Sequence, residues 1–195
     1  MRRAGLFVGV ILLAVFGLIF LQNQPSSGSL NGEKADMSNY YHLQDDDPAF
    51  IEVSMAESHR LFKNKMTGVI LYSYEDCPFC NLAVPILNEA AKENDYPVYY
   101  VNVYNEELMN LPRKERVAIQ EQMMQDIDEV LDVDENGEPE LLVPLVIAVK
   151  HGKIIESHTS LVDNFAPDDI SDVMSDEQNA RLKEIYIDLI HSVQD

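Results

Sequence analysis

Cys77 and Cys80 are the two cysteines of this 195-residue chain, and they stand together in Cys77-Pro78-Phe79-Cys80. A structural disulfide framework joins distant cysteines and closes large loops of the unfolded chain; a bridge across two residues contributes little of that entropy. The pair therefore reads as chemistry rather than scaffolding. Zinc uses the same spacing but needs two further ligands. The chain has no third cysteine, and His42, His59, His151, His158 and His191 show no ligand spacing. Thiol–disulfide exchange is the chemistry that remains: one thiolate attacks, a mixed disulfide forms, and the neighbouring thiol resolves it.

The flanking elements suit that role. Gly68 releases the apolar run at 69–74, which reads as a buried central strand, and Glu75 and Asp76 end it. A helical pattern follows through Leu82, Val84, Ile86, Leu87, Ala90 and Ala91. Cys77 thus falls at a helix start, where unpaired amides and the positive dipole end favour a thiolate. Pro78 sits where a missing amide hydrogen costs little, and Cys80 lies one turn further on. The carboxylates of Glu75 and Asp76 oppose the dipole, which predicts an only modestly acidic Cys77.

Pro97 precedes a second apolar strand at 98–103, so strand, helix and strand form a right-handed parallel unit. Upstream, 50–53 reads as an edge strand. Ser54 caps a helix running to about Asn64, with Glu57 completing a capping box. Downstream, 106–131 has helix-favouring composition, with Pro112 suited to a first turn. An acidic turn at 132–140 leads into an apolar strand at 141–149 that contains Pro144. His151-Gly152 turns the chain into a return strand at 153–157, and Asp176 opens a final helix. Asp132, Asp134, Asn136 and Gly137 match the first half of a calcium loop. The twelfth position is Val143 rather than a bidentate Glu, and Pro139 interrupts the segment, so a solvated acidic turn is the preferred reading.

At the N-terminus Arg2 and Arg3 precede an uncharged apolar run at 4–21. As a helix it spans roughly 27 Å, close to the hydrocarbon thickness of a bilayer. The reading is a cytoplasmic end at 1–3, a transmembrane anchor at 4–21, a flexible linker at 22–47 and an extracytoplasmic domain at 48–195. A cleaved signal peptide is the competing reading, although no small-x-small site follows the run. The formal charge of −20 excludes nucleic acid as a partner, because no basic surface is available to neutralise phosphates.

The strand, the Cys-Pro-Phe-Cys loop and the helix carrying Pro85 resemble the thioredoxin superfamily, as do Val143-Pro144 and the hairpin at His151-Gly152-Lys153. The resemblance covers roughly 50–195, interrupted by an insertion at about 105–140. It implies an α/β thioredoxin fold, three layers with a central mixed sheet, and no cofactor. It also implies a redox-active disulfide between Cys77 and Cys80, with Cys77 attacking and Cys80 resolving. Glu75, Asp76, Pro78 and Phe79 would form the active-site loop, and a cis Pro144 after Val143 would face Cys77 and bind substrate. Two positions depart from the family: Asp76 replaces a tryptophan, and Leu71 stands where an aspartate is usually buried. The whole is similar to membrane-bound thioredoxin-like proteins of Gram-positive bacteria, including the bacteriocin transport accessory type.

The functional expectation is an extracytoplasmic thiol–disulfide oxidoreductase, its partners cysteine-containing exported proteins or a redox partner protein. The direction of electron flow stays open. A redox-inert accessory module of a transporter or export machinery is the alternative. The insertion reads either as a structural cap or as a partner-selecting surface.

Overall fold

The most apolar runs of the sequence become the central strands of one sheet. The computed structural model describes Leu30, residues 32–162 and residues 165–194. The run at 4–21 and the anchor read from it lie outside the described residues. Among the described residues no helix is long and apolar enough to cross a membrane.

In chain order the elements are β1 (Glu33–Lys34), β2 (Phe50–Glu52), α1 (Met55–Lys63), β3 (Gly68–Ser73), α2 (Pro78–Glu93), β4 (Val98–Asn102), α3 (Glu106–Asn110), α4 (Arg113–Asp126), β5 (Asp132–Val133), β6 (Pro139–Glu140), β7 (Leu145–Lys150), β8 (Lys153–Thr159) and α5 (Asp176–Gln194). The main sheet has the order β1-β2-β4-β3-β7-β8, and β5 and β6 form a separate hairpin. β3 runs parallel to β4 and antiparallel to β7, while β2 is parallel to β4 and β8 antiparallel to β7. The sheet is therefore mixed.

Every residue of β3 is buried because both faces of the sheet are covered. The period-two alternation of a strand divides its side chains between two cores. Val69 and Leu71 face one core with Val98, Tyr100, Val146 and Ala148, beneath α2 and α5. Ile70 and Tyr72 face the other with Tyr99, Val101, Leu145 and Ile147, beneath α1 and the insertion. The result is a three-layer α/β/α arrangement. Ser54 caps α1, and the reciprocal bonds of Ser54 and Glu57 close the capping box.

Three segments differ from the sequence reading. The stretch 33–47, expected to be part of a flexible linker, packs onto the domain. β1 pairs antiparallel with β2, matching Glu33 to Glu52 and Lys34 to Ile51. Met37 and Tyr40 are buried in the core beneath α2. Two asparagines of α2 hold the backbone: Asn81 Oδ1 accepts from Tyr41 N at 2.6 Å, and Asn88 Oδ1 accepts from Ala49 N at 2.8 Å. Two acidic residues of the stretch are ion-paired, Asp45 with Lys92 and Asp47 with Lys34.

The helix expected over 106–131 is broken. α3 ends at Asn110, Leu111 is extended, and Pro112 is the N-cap of α4 rather than a residue of its first turn. A residue before proline is pushed out of helical geometry, which explains the break. A short 3-10 turn, Asp128–Val130, follows α4. The strand expected over 141–149 begins only at Leu145, so 141–144 is a loop on the β7 side of the sheet.

Candidate active site

β3 delivers the chain through Tyr74, Glu75 and Asp76 to the start of α2, where Cys77 is the N-cap, with φ −85° and ψ 118°. Its sulfur accepts a hydrogen bond from the amide of Cys80 at 3.2 Å. Pro78 in the first turn offers no amide of its own, so the free amides of that turn are those that reach the sulfur. Asn81, fully buried, locks the approach: its Nδ2 donates to the carbonyls of Glu75 and of Cys77. Both cysteines are free thiols.

The two thiols differ in environment. A hydrogen bond from the Cys80 thiol does most to hold Cys77 below its ordinary value; burial opposes it, and the amides of Cys80 and Phe79 add to it. Cys80 is completely buried, and that burial pushes its thiol far up. Cys77 is therefore the more readily ionised of the two thiols. Of the carboxylates near Cys77, Glu75 Oε2 accepts from Asn102 Nδ2 at 3.2 Å, and Asp76 is exposed.

Across from α2 lies the loop before β7. The Val143–Pro144 peptide is cis, and the Cys77 thiol approaches the Val143 carbonyl oxygen at 3.8 Å. A groove of about 650 Å³ opens beside Cys77, with Tyr74, Phe79 and Val143 in its walls. Pro78 and Phe79 are half-buried along it. Its far wall comes from α4, through Gln120, Met123 and Met124, so the insertion lines the cavity that holds the thiol. His59 Nδ1 and Asp126 Oδ2, 2.8 Å apart, tie α4 to α1.

Asp132, Asp134 and Asn136 lie in and beside the turn that joins β5 to β6, and backbone amides engage oxygens of the two aspartates. Asp132 Oδ1 accepts from Val133 N at 2.8 Å, and Asp134 Oδ1 accepts from Asn136 N at 2.8 Å and Glu138 N at 2.9 Å. The Glu138 amide is the largest cause holding Asp134 below the usual carboxylate range. Among the described residues no three His, Cys, Asp or Glu side chains converge as a metal site.

Sequence reasoning missed a set of hydroxyls behind Cys80. Ser73, at the end of β3, is buried and acts on Cys80 against the effect of burial, drawing its thiol down. Tyr40 reaches Ser73 Oγ at 2.7 Å and donates to the Tyr100 hydroxyl at 3.2 Å. Ser73 was the one available signal, a hydroxyl on an otherwise apolar strand.

A strand–CxxC–helix unit on a mixed three-layer sheet, facing a cis-proline loop that opens an antiparallel strand, defines a dithiol site on a thioredoxin-type fold. No family model and no curated protein sequence matches the chain. Among solved structures, the chain is similar to a protein described as a candidate oxidoreductase with a thioredoxin fold, at 12% identity and TM-score 0.43, over 75% of this chain and 95% of that one. It is also similar to a thioredoxin from Aeropyrum pernix, at 17% identity and TM-score 0.36, over 55% of this chain and 73% of that one. Thioredoxin O2 from Arabidopsis thaliana, in its oxidised state, matches at 17% identity and TM-score 0.40, over 75% of this chain and 99% of that one.

Proposed function

We propose that the chain is a membrane-anchored thiol–disulfide oxidoreductase of the thioredoxin superfamily, acting outside the cytoplasm on cysteine-containing exported proteins. One observation carries the reading: a thiol held below its ordinary value at a helix start faces both a groove and the Val143 carbonyl.

The reaction follows from the two thiols. The Cys77 thiolate attacks one sulfur of a substrate disulfide; a new S–S bond forms, and the second substrate sulfur leaves as a thiolate that takes up a proton. Cys80 then loses its proton and attacks the Cys77 sulfur. The Cys77–Cys80 bond forms as the bond to substrate breaks, which leaves the substrate reduced by two electrons. Run backwards, the same steps oxidise a substrate dithiol, and the potential of the partner sets the direction.

An extended substrate segment would lie in the groove and pair its backbone with Val143, as strands do when they add to an exposed main-chain edge. Met123 and Met124 make the α4 wall adaptable, because unbranched thioethers fit varied side chains. That wall is the part of the site we assign to partner choice. The run at 4–21, with Arg2 and Arg3 on its cytoplasmic side, would hold the domain at the outer membrane face. These features align the reading with membrane-bound thioredoxin-like proteins of bacteria, the bacteriocin transport accessory type among them.

The test is trapping with the full chain in cells. Cys80→Ser should accumulate reducible adducts through Cys77, and Cys77→Ser/Cys80→Ser should accumulate none. A membrane-impermeant maleimide applied to intact cells should label Cys77 of the Cys80→Ser chain. A Cys80→Ser chain that traps nothing would favour a redox-inert accessory module and overturn the exchange reading.

A further inference from the structure

Asn81 follows Cys80 directly and has no exposed surface, yet its amide brings a carbonyl oxygen and two N–H donors that need partners. All are satisfied, and by two parts of the chain far apart in sequence. The hydrogens of Nδ2 serve the active-site loop, one bonding the Glu75 carbonyl and the other the Cys77 carbonyl at 3.1 Å. Oδ1 accepts at 2.6 Å from the amide of Tyr41, which lies 40 positions earlier. These partners force the orientation of the group, since a backbone N–H can only donate and a carbonyl can only accept.

The two carbonyls bracket the turn that delivers Cys77. Tyr74 O accepts from Cys77 N at 3.4 Å, and Cys77 O takes a helical bond from Asn81 N at 3.0 Å. Asn81 therefore grips the first turn of α2 from one turn further along, and reaches past Asp76 to hold the chain that enters it. That same turn presents the Cys80 amide to the Cys77 sulfur, 3.2 Å away. Asn88 offers a comparison two turns along the helix. It is buried too, accepts from Ala49 N at 2.8 Å and donates to Asp45 Oδ2 at 2.8 Å. Both bonds go to the 33–49 stretch that Asn81 also holds, and neither goes to the active-site loop.

We propose that Asn81 is a positioning residue for the Cys77 thiol: its amide fixes the turn that aims the first amides of α2 at the sulfur, and fastens that turn to the 33–49 stretch at Tyr41. The assignment deepens the exchange reading above and rests on it for its consequence in turnover. Without the group, the Glu75 carbonyl is left unpaired and the peptides around Asp76 are free to rotate. The Cys80 amide then no longer meets the sulfur at bonding distance, and a thiolate that loses a donor is less favoured. Asn81→Leu leaves every charge around the sulfur in place. The ionisable groups acting on Cys77 are Cys80 on α2 and Tyr74 after β3. The Glu75 carboxylate is bonded to Asn102, Asp76 is exposed, and no charged residue lines the groove beside the thiol.

The test uses the reduced full chain in detergent and follows Cys77 alkylation by iodoacetamide against pH, with amide exchange measured on the same samples. Asn81→Leu, which keeps the size of the side chain, should move the midpoint upward. Below the midpoint it should slow alkylation by roughly threefold or more, the equivalent of about half a pH unit. The Tyr41 amide should lose its protection in the same variant. Asn88→Leu is the control: it should release the Ala49 amide and leave the Cys77 midpoint in place. Asn81→Ser can still donate to the carbonyl one turn earlier but is too short to hold Glu75 and Tyr41 as well. Its midpoint should lie between those of the unsubstituted chain and Asn81→Leu, and it carries the test if Asn81→Leu does not fold. An unmoved midpoint in the folded Asn81 variant overturns the proposal. An equal shift in Asn88→Leu does so too, because it would mark general loosening, and a Tyr41 amide that stays protected removes the link to the 33–49 stretch. Neither measurement involves a disulfide, so a Cys80→Ser chain that traps no adduct brings down the exchange reading as a separate result.

Discussion

The sulfur of Cys77 lies 3.8 Å from the carbonyl oxygen of Val143, a residue 66 positions further along the chain. The start of α2 and the loop before β7 meet there because β3 and β7 are antiparallel neighbours, with Tyr72 opposite Leu145. The sulfur thus lies beside a main-chain acceptor at the edge of a groove, the arrangement that the proposed extended substrate segment would use.

The acidity of Cys77 depends first on its partner thiol. A thiol held below its ordinary value is ionised at lower pH, so the midpoint of Cys77 alkylation by iodoacetamide should lie below that of an unperturbed cysteine. Cys80→Ala removes the hydrogen bond from the Cys80 thiol and keeps the backbone amide. The midpoint of the alkylation profile should move upward. A profile that does not move would assign the acidity to the helix amides alone.

The 33–47 segment should matter to stability, which a tether would not. Tyr40 and Met37 are both almost completely buried. Truncation of large core side chains to alanine destabilises by about 2–5 kcal/mol, so Tyr40→Ala and Met37→Ala should each fall in that range. Denaturant unfolding of the full chain in detergent measures it. A change below about 0.5 kcal/mol, the size of an ordinary surface substitution, would contradict the packing described.

The insertion is held locally. His59→Ala removes the 2.8 Å contact to Asp126, at a cost of about 1 kcal/mol for a lost hydrogen bond. Amide exchange should accelerate over α4 while β3 and α2 keep their protection. Uniform acceleration across the domain would mean that the pair supports the whole fold rather than the groove wall.

Alkaline pH should weaken the fold. Burial raises the phenols of Tyr40, Tyr72, Tyr100 and Tyr186 above their ordinary value. In the unfolded chain they ionise near about pH 10, while the folded chain keeps its protons, so above that pH the unfolded state binds fewer protons and stability falls as pH rises. Below it the contribution is complete. With Cys77→Ser/Cys80→Ser to remove the thiols, the denaturant midpoint should hold steady from pH 7 to 9 and drop by pH 11. A midpoint that is level to pH 11 would show that these phenols are not shielded.

The parts of the fold legible in the sequence are those governed by near neighbours. The apolar run before Glu75 became β3, Ser54 and Glu57 capped α1, and Cys77 with Pro78 opened α2. The hairpin turned at His151 and Gly152, both with positive φ, as the sequence reading placed it. Periodicity, caps and turns are encoded within a few residues, and a single sequence displays them. Leu111 shows the limit of that rule: the proline after it set the break between α3 and α4, but the helical composition on both sides concealed it.

By itself the sequence determined the backbone preferences and the one pair of thiols able to do chemistry. The tertiary structure alone decided what surrounds them. Tyr40 meets Ser73 across 33 positions and Tyr100 across 60, and no periodicity marks Tyr40 as a core residue. Met123 and Met124 reach the groove of Cys77 only because α4 folds back over α1, through contacts that include Asp126 and His59. Such meetings depend on strand order and on which face each helix covers. The side chains that complete the site thus come from segments whose local sequence carries no record of one another.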